Sequence, residues 1–180
     1  MTFDIPTSEV EGVVNVVVES PAGSTGKIKW EPRLGAFVLA RPLPLGMSYP
    51  HDWGFVAGTR APDGDPLDVL VLAEATTFPG LVLPARPIGL LRLEQNRRKG
   101  GGRERNDRVI AVPAKAARQD LSDISGLPPR LREELEQFFL NAVFFESKAP
   151  TLLGWGGRDE AWALVQEVAI RPPAAPGAKP

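Results

Sequence analysis

Short apolar runs dominate the first two-thirds of the chain. "VVNVVVE" (13–19) is almost entirely β-branched and reads as a strand. "KIKWE" (27–31) alternates charged and apolar positions, and "GAFVLAR" (35–41) follows it across a proline-containing turn. "HDWGFVAG" (51–58), "LDVLVLAE" (67–74) and "RVIAVPA" (108–114) read as further strands. "PGLVLPARPIGLLRLEQ" (79–95) reads as one or two strands interrupted by prolines. Strands this short, spaced this way, predict a small barrel.

The period changes in the final third. "PPRLREELEQFFLNAVFFES" (128–147) opens on prolines, carries acids early and repeats apolar residues at helical intervals, which predicts a long amphipathic helix. "RDEAWALVQEVAIR" (158–171) predicts a second helix, with Asp159 as its cap and Trp162, Leu164, Val165 and Val168 as its apolar stripe. The basic, glycine-rich insert "NRRKGGGRER" (96–105) is expected to be a disordered loop, either merely solvated or touching an anion or a neighbouring subunit. Residues 1–11 and the tail 172–180 are expected to be flexible. With no internal repeat and no boundary signal, 1–180 is expected to form one domain.

Composition narrows the partners. A net charge of −1 gives the whole chain no nucleic-acid signature. The absence of cysteine removes disulfides and thiolate metal sites. The 18 glycines and 19 prolines agree with many turns. "MTFDIPTSEV" lacks the basic-then-apolar order of a secretory signal, and no stretch approaches the roughly 20 apolar residues of a spanning helix. A soluble cytoplasmic protein without membrane or nucleic-acid partners is expected.

Gly-Ser-Thr-Gly-Lys, inside "VESPAGSTGKIKWE" (18–31), invites comparison with a nucleotide phosphate loop. The spacing fails. Pro21 stands where the first glycine belongs, and Ile28 stands where a magnesium-binding hydroxyl belongs. The segment is a polar turn between strands.

"APDGDPLDVLVLAE" (61–74) carries more chemistry. Asp63, Asp65 and Asp68 fall within six residues, and an extended backbone would point the first two the same way. Carboxylates so close repel unless a cation compensates, and hard divalent ions suit oxygen donors. Asp-Gly-Asp-Pro is equally a good surface turn. A calcium-binding EF-hand loop is excluded, because Leu67 takes a ligand position and Asp68 replaces the required glycine.

"DGDPLDVLV" matches the Asp-x-Asp-Pro-x-Asp-Val signature of the soluble family I inorganic pyrophosphatases. "VESPAGSTGKIKWE" resembles that family's Glu-x-Pro … Lys-x-Glu segment, and "ARPLPLGMSYPHDWGF" its Arg … Tyr-Pro-x-x-Tyr-Gly segment. "RPIGLLRL" and "VIAVPA" resemble the strands that follow, so the similarity runs in order over roughly 12–170. The resemblance implies an α+β, mainly β fold: a five-stranded OB-type barrel flanked by two C-terminal helices. It also implies hydrolysis of pyrophosphate to two phosphates, a Mg²⁺ requirement (Mn²⁺ or another divalent cation being alternatives) and a homo-oligomer, tetramer or hexamer.

Carried over by position, Asp63 and Asp68 would bind a metal pair, and Asp65 would orient and deprotonate a water between the ions. Glu19 would be an outer metal ligand through water. Lys29 and Arg41 would neutralise phosphate oxygens, with Glu31 as partner for the basic residues. Gln95 and Asn106 stand where two further metal-binding aspartates are expected, with Glu94 and Asp107 one residue away as substitutes if the loop is re-aimed. Arg108 replaces a phosphate-binding lysine, and Trp53 a site tyrosine. Ala142 and Val143 occupy the positions of a Tyr-Lys pair that would hold the leaving phosphate, so nothing polar is expected there. A catalytically impaired protein that binds phosphate or a phosphorylated metabolite is the alternative.

Overall fold

A computed structural model of the chain describes residues 5–97, 100–115 and 121–170. Nine strands and two helices run in the order β1 (Val14–Ser20), β2 (Gly26–Glu31), β3 (Ala36–Pro42), β4 (Asp52–Val56), β5 (Asp68–Val71), β6 (Val82–Asn96), β7 (Arg103–Arg105), β8 (Arg108–Pro113), α1 (Pro129–Asn141), β9 (Thr151–Gly157) and α2 (Arg158–Val168). A 3₁₀ turn at Ile124–Gly126 precedes α1.

Strands β1, β4, β5, β8 and β6 pair in that order, and β6 pairs back onto β1, which closes a five-stranded ring. Only β5 and β8 run parallel within it. Closure explains the unbroken valine run of β1. The strand has neighbours along both edges and every one of its residues is buried, so no alternation with polar residues is required. In β5 and β8 successive side chains divide between two clusters. Val69, Val71, Val109 and Ala111 join Val165 of α2, whereas Leu70 and Ile110 join Leu135, Phe138 and Phe139 of α1. Each helix therefore covers one set of strand side chains.

The 15-residue β6 is a single strand despite Pro84 and Pro87. Its register against β8 shifts between Pro87 and Gly89, an irregularity that accommodates a residue without an N–H. The strand is long enough to meet β1, β8, β9 and β7 in succession. The glycine-rich insert is a hairpin end, contrary to the expectation of disorder: β7 pairs with the tip of β6, and Gly100, Gly101 and Gly102 all adopt positive φ. Arg98 and Lys99 within it lie outside the described residues, as do 1–4 and the tail 171–180. Flexibility through residue 11 is also not what the described part shows. Thr7 is buried, donates from Oγ1 to the Gly58 carbonyl, and offers its own carbonyl to Asn15.

Helix α1 is shorter than its apolar pattern predicts. It ends at Asn141, and 142–148 form turns. Phe144 and Phe145 are exposed, so burial does not reward another helical turn. The carbonyls of Ser147 and Lys148 are instead bonded to Asn96 at the end of β6. The strand expected over 67–74 likewise stops at Val71. Helix α2 begins at Arg158 with Gly157 at its cap position, and Asp159 lies in the first turn rather than capping it. Asp123 performs that task from a distance, accepting from the Arg158 amide at 2.9 Å.

Candidate active site

The β2–β3 hairpin lies against the end of β1, which holds it through side chains. Ser20 Oγ accepts from the Ile28 amide at 2.9 Å, and Glu19 Oε1 accepts from the Trp30 amide at 2.8 Å. Buried Asp52 fixes the approach to β2 by accepting from the Ala22 amide at 2.9 Å and from Thr77 Oγ1 at 2.8 Å. On the hairpin Lys27 and Arg41 are direct cross-strand partners. Like charges placed opposite each other oppose pairing, so this register favours an anion between or above them. Lys29 follows two residues along and lines the same cleft.

Asp63 and Asp65 lie in a tight turn, the alternative that Asp-Gly-Asp-Pro offered to an extended backbone. Asp63 Oδ1 accepts from the Asp65 amide at 3.1 Å, the Ala61 amide donates to the Asp65 carbonyl, and Gly64 takes φ 87°. Burial, followed by the charges of Asp68 and Asp65, pushes the Asp63 carboxyl up. Asp65 approaches Lys29 Nζ at 3.6 Å. Asp68 opens β5 and pairs with Arg108. Glu19, buried on β1, is raised to about 7, chiefly by loss of solvent and further by Asp68. The four carboxylates thus border one region from two strands and a turn.

Arg108, buried at the start of β8, donates to both Asp68 and the Asn106 side-chain carbonyl. Its guanidinium also lies 5.3 Å from the Trp53 ring centre, and Lys27 Nζ lies 6.0 Å from it. Trp53 is thereby a shared platform for two cations. It stacks on Tyr49 and tilts against Phe139. Beyond the platform a small well of about 40 Å³ is lined by Lys27, Arg41, Gln95, Arg108, Val143 and Lys148 among others. It adjoins an open cleft of about 410 Å³ bordered by Lys27, Lys29, Arg41, Arg97, Glu146 and Lys148.

Several expected placements change. Glu31 bonds the Arg33 amide and side chain in the hairpin turn, while the charge of Lys29 also acts on it. Arg41 pairs with Glu146. Glu94 and Asp107 pair with Arg103 and Arg105, each at 2.7 Å. Gln95 and Asn106 are both buried, and Gln95 lines the well. The expectation that nothing polar replaces the donors at Ala142 and Val143 fails, since Lys148 enters the same well. Lys27 was also missed, although its spacing of two from Lys29 on a strand was a usable signal. Lys148 gave no such signal, because a helix continued to 147 would have carried it elsewhere.

Among the described residues no three acidic or imidazole side chains form a finished metal cage. The donor chemistry nevertheless fits a hard divalent ion. The turn and the mouth of β5 present carboxylate oxygens, and the upward shifts of Asp63 and Glu19, caused first by loss of solvent and then by neighbouring carboxylates, are ones a cation would relieve. No helix among the described residues is long and apolar enough to cross a membrane.

The family profile described as inorganic pyrophosphatase matches residues 16–171. An inorganic pyrophosphatase of Synechocystis sp. is 37% identical over 164 residues, which is 91% of this chain and 94% of that protein. The crystal structure of inorganic pyrophosphatase from Thermus thermophilus superposes with a TM-score of 0.82 at 37% identity, covering 92% of this chain and 94% of that one. A structure of an inorganic phosphatase from Anaplasma phagocytophilum gives a TM-score of 0.84 at 32% identity, covering 93% and 98%.

Proposed function

Because the chain belongs to the inorganic pyrophosphatase family, we propose that it hydrolyses inorganic pyrophosphate to two phosphates with the help of Mg²⁺. The observation that carries this reading is the junction of an acidic turn with a cationic cleft. Lys29 bridges them, 3.6 Å from Asp65 and on the wall that also holds Lys27 and Arg41. Asp63 and Asp68 would hold divalent ions, with Glu19 behind them and the neutral oxygens of Gln95 and Asn106 at the margin. Bound there, such ions supply a nucleophilic water near neutral pH and offset charge on the phosphoryl oxygens.

The chain's own residues do the rest. Asp65 accepts the proton of the attacking water, and its half-buried position on the turn leaves room for one. Lys29 meets a phosphate oxygen as a point charge, and Arg41 exchanges Glu146 for phosphate. Arg108 divides its donors between Asp68 and the substrate, while Trp53 holds it in place. Phosphate release from pyrophosphate with Mg²⁺ tests the reading. Asp65→Asn should slow turnover by at least about a hundredfold, the scale of a lost general base; equal rates would refute the mechanism.

The pairing of Arg108 with both Asp68 and Asn106 favours a second reading, a phosphate-binding protein without turnover. Metal-dependent phosphate binding with no hydrolysis would establish it. A homo-oligomer belongs to the first reading, with exposed Phe144 and Phe145 beyond α1 offering apolar surface for it.

A further inference from the structure

Lys148 is delivered to the site by an unusual backbone. The turn after α1 is fastened to the β6–β7 hairpin at three consecutive residues. Asn96 Nδ2 donates to the Ser147 carbonyl at 2.8 Å, the Asn96 amide donates to the Lys148 carbonyl at 2.7 Å, and Arg103 donates to the Ala149 carbonyl at 2.7 Å. Ala149 has φ 41°, and it is the only non-glycine residue with positive φ among the described residues. A left-handed alanine is costly and persists where its surroundings impose it. Here the fastening turns the chain so that Lys148 lines both the inner well and the outer cleft.

Its neighbours there are cations. Lys27, Arg41 and Arg108 line the same well, and Lys27 has no carboxylate within ion-pair reach among the described residues. Among the described residues Glu146 is the one acid bordering the cleft, and it is shared with Arg41; Lys148 reaches it only at 3.9 Å. Loss of solvent, then the charges of Lys27 and Arg108, bring the Lys148 ammonium down to about 8. Lys27, Arg41, Arg108 and Lys148 meet there against two paired carboxylates, Glu146 on Arg41 and Asp68 on Arg108, and this excess of positive charge is arranged for an anion.

We propose that Lys27 and Lys148 together form a side-chain grip for the leaving phosphate, at the place where Ala142 and Val143 present no donor. The proposal rests on the hydrolytic reading for its substrate and adds two residues that the matched motif positions do not include. Lys29 stands beside the acidic turn, and Lys148 lies deeper along the cleft. A diphosphate can therefore lie with one phosphorus near Asp65 and the other against the Lys27–Lys148 pair. When the bridging P–O bond breaks, its electrons pass to the departing phosphate, and the two ammonium groups neutralise the added charge. Trp53 carries Lys27 on its ring, which positions that half of the grip without hydrogen-bonding it.

The test uses the full chain and its Lys27→Met, Lys148→Met and Lys148→Arg variants, each checked for an unchanged circular dichroism spectrum. Calorimetric titration with inorganic phosphate in chelator should show binding by the parent protein. Each methionine variant should bind at least about tenfold more weakly, the scale of one lost charge-assisted bond. Lys148→Arg should recover most of the affinity, which a merely structural role would not explain. With pyrophosphate and Mg²⁺, the methionine variants should lose kcat as well as affinity. Phosphate affinity unchanged in both methionine variants overturns the grip, whatever the turnover. Lysine-dependent phosphate binding without turnover by the parent supports the grip and overturns only the hydrolytic reading.

Discussion

Asp123 accepts three hydrogen bonds at once: from the Ser125 amide at 2.9 Å, from Ser125 Oγ at 2.6 Å and from the Arg158 amide at 2.9 Å. It thereby caps the 3₁₀ turn and the first turn of α2 together. These donors hold its carboxyl at about 2, below its ordinary 3.8. A depressed carboxylate contributes stability that is complete above pH 3.8 and is lost as the pH falls toward 2. Asp123→Ala should lower stability by about 1 kcal/mol and the melting temperature by about 2–4 °C at neutral pH. The deficit should shrink on acidification toward pH 2, and a deficit constant across that range would contradict the assignment. Local pattern offers no route to this residue, because Asp159 lies in the helix's own first turn whereas Asp123 reaches it from 35 positions away. The acidic cluster was more legible. Its three aspartates announce themselves by proximity, whereas the pairing of Asp68 with Arg108 depends on β5 and β8 lying side by side.

At the scale of elements, the barrel closes around one very tight contact. Gly54 of β4 passes so near β1 that an added Cβ would lie 2.0 Å from the Val17 carbonyl oxygen. The obstacle is backbone, so a side chain could not swing aside. Gly54→Ala should therefore separate β1 from β4 and cost about 3 kcal/mol, read as a lower urea midpoint with the m-value preserved. A midpoint within error of the parent would show that β1 yields easily. Strand positions were largely readable because apolar runs of this length have few alternatives in a chain rich in turns. Endings were not. Helix α1 stops at Asn141, the turn beyond it is bonded to Asn96, and the phenylalanines at 144 and 145 face solvent. Strand β9, "TLLGWGG", escaped because its glycines mimic a loop, while its pairing with the middle of β6 supplies the order. Both misreadings have the same source: local pattern describes a segment, but the long β6 decides what lies beside it.

Over the whole molecule, the site joins opposite electrostatic demands, with one buried and three half-buried carboxylates on one side and crowded ammonium and guanidinium groups on the other. Glu19 makes this measurable. Its folded value of about 7 lies above the ordinary 4.5, so the native state binds more protons than the unfolded chain between those values. Stability of the metal-free protein should therefore fall as pH rises from 4.5 to 7, by on the order of 3 kcal/mol. This slope is opposite in sign to that of Asp123, and it occupies a higher pH range. A divalent ion that binds near Glu19, Asp63 and Asp68 relieves the same charge and stabilises the folded state by mass action. Its benefit should be small at pH 5, where Glu19 is protonated, and large at pH 8. Thermal melts in chelator and in millimolar Mg²⁺ at the two pH values provide the comparison. A larger increase at pH 8 would tie metal binding to this carboxylate group. Equal increases at both would place the ion elsewhere, because an ion that does not contact Glu19 has no reason to follow its ionisation.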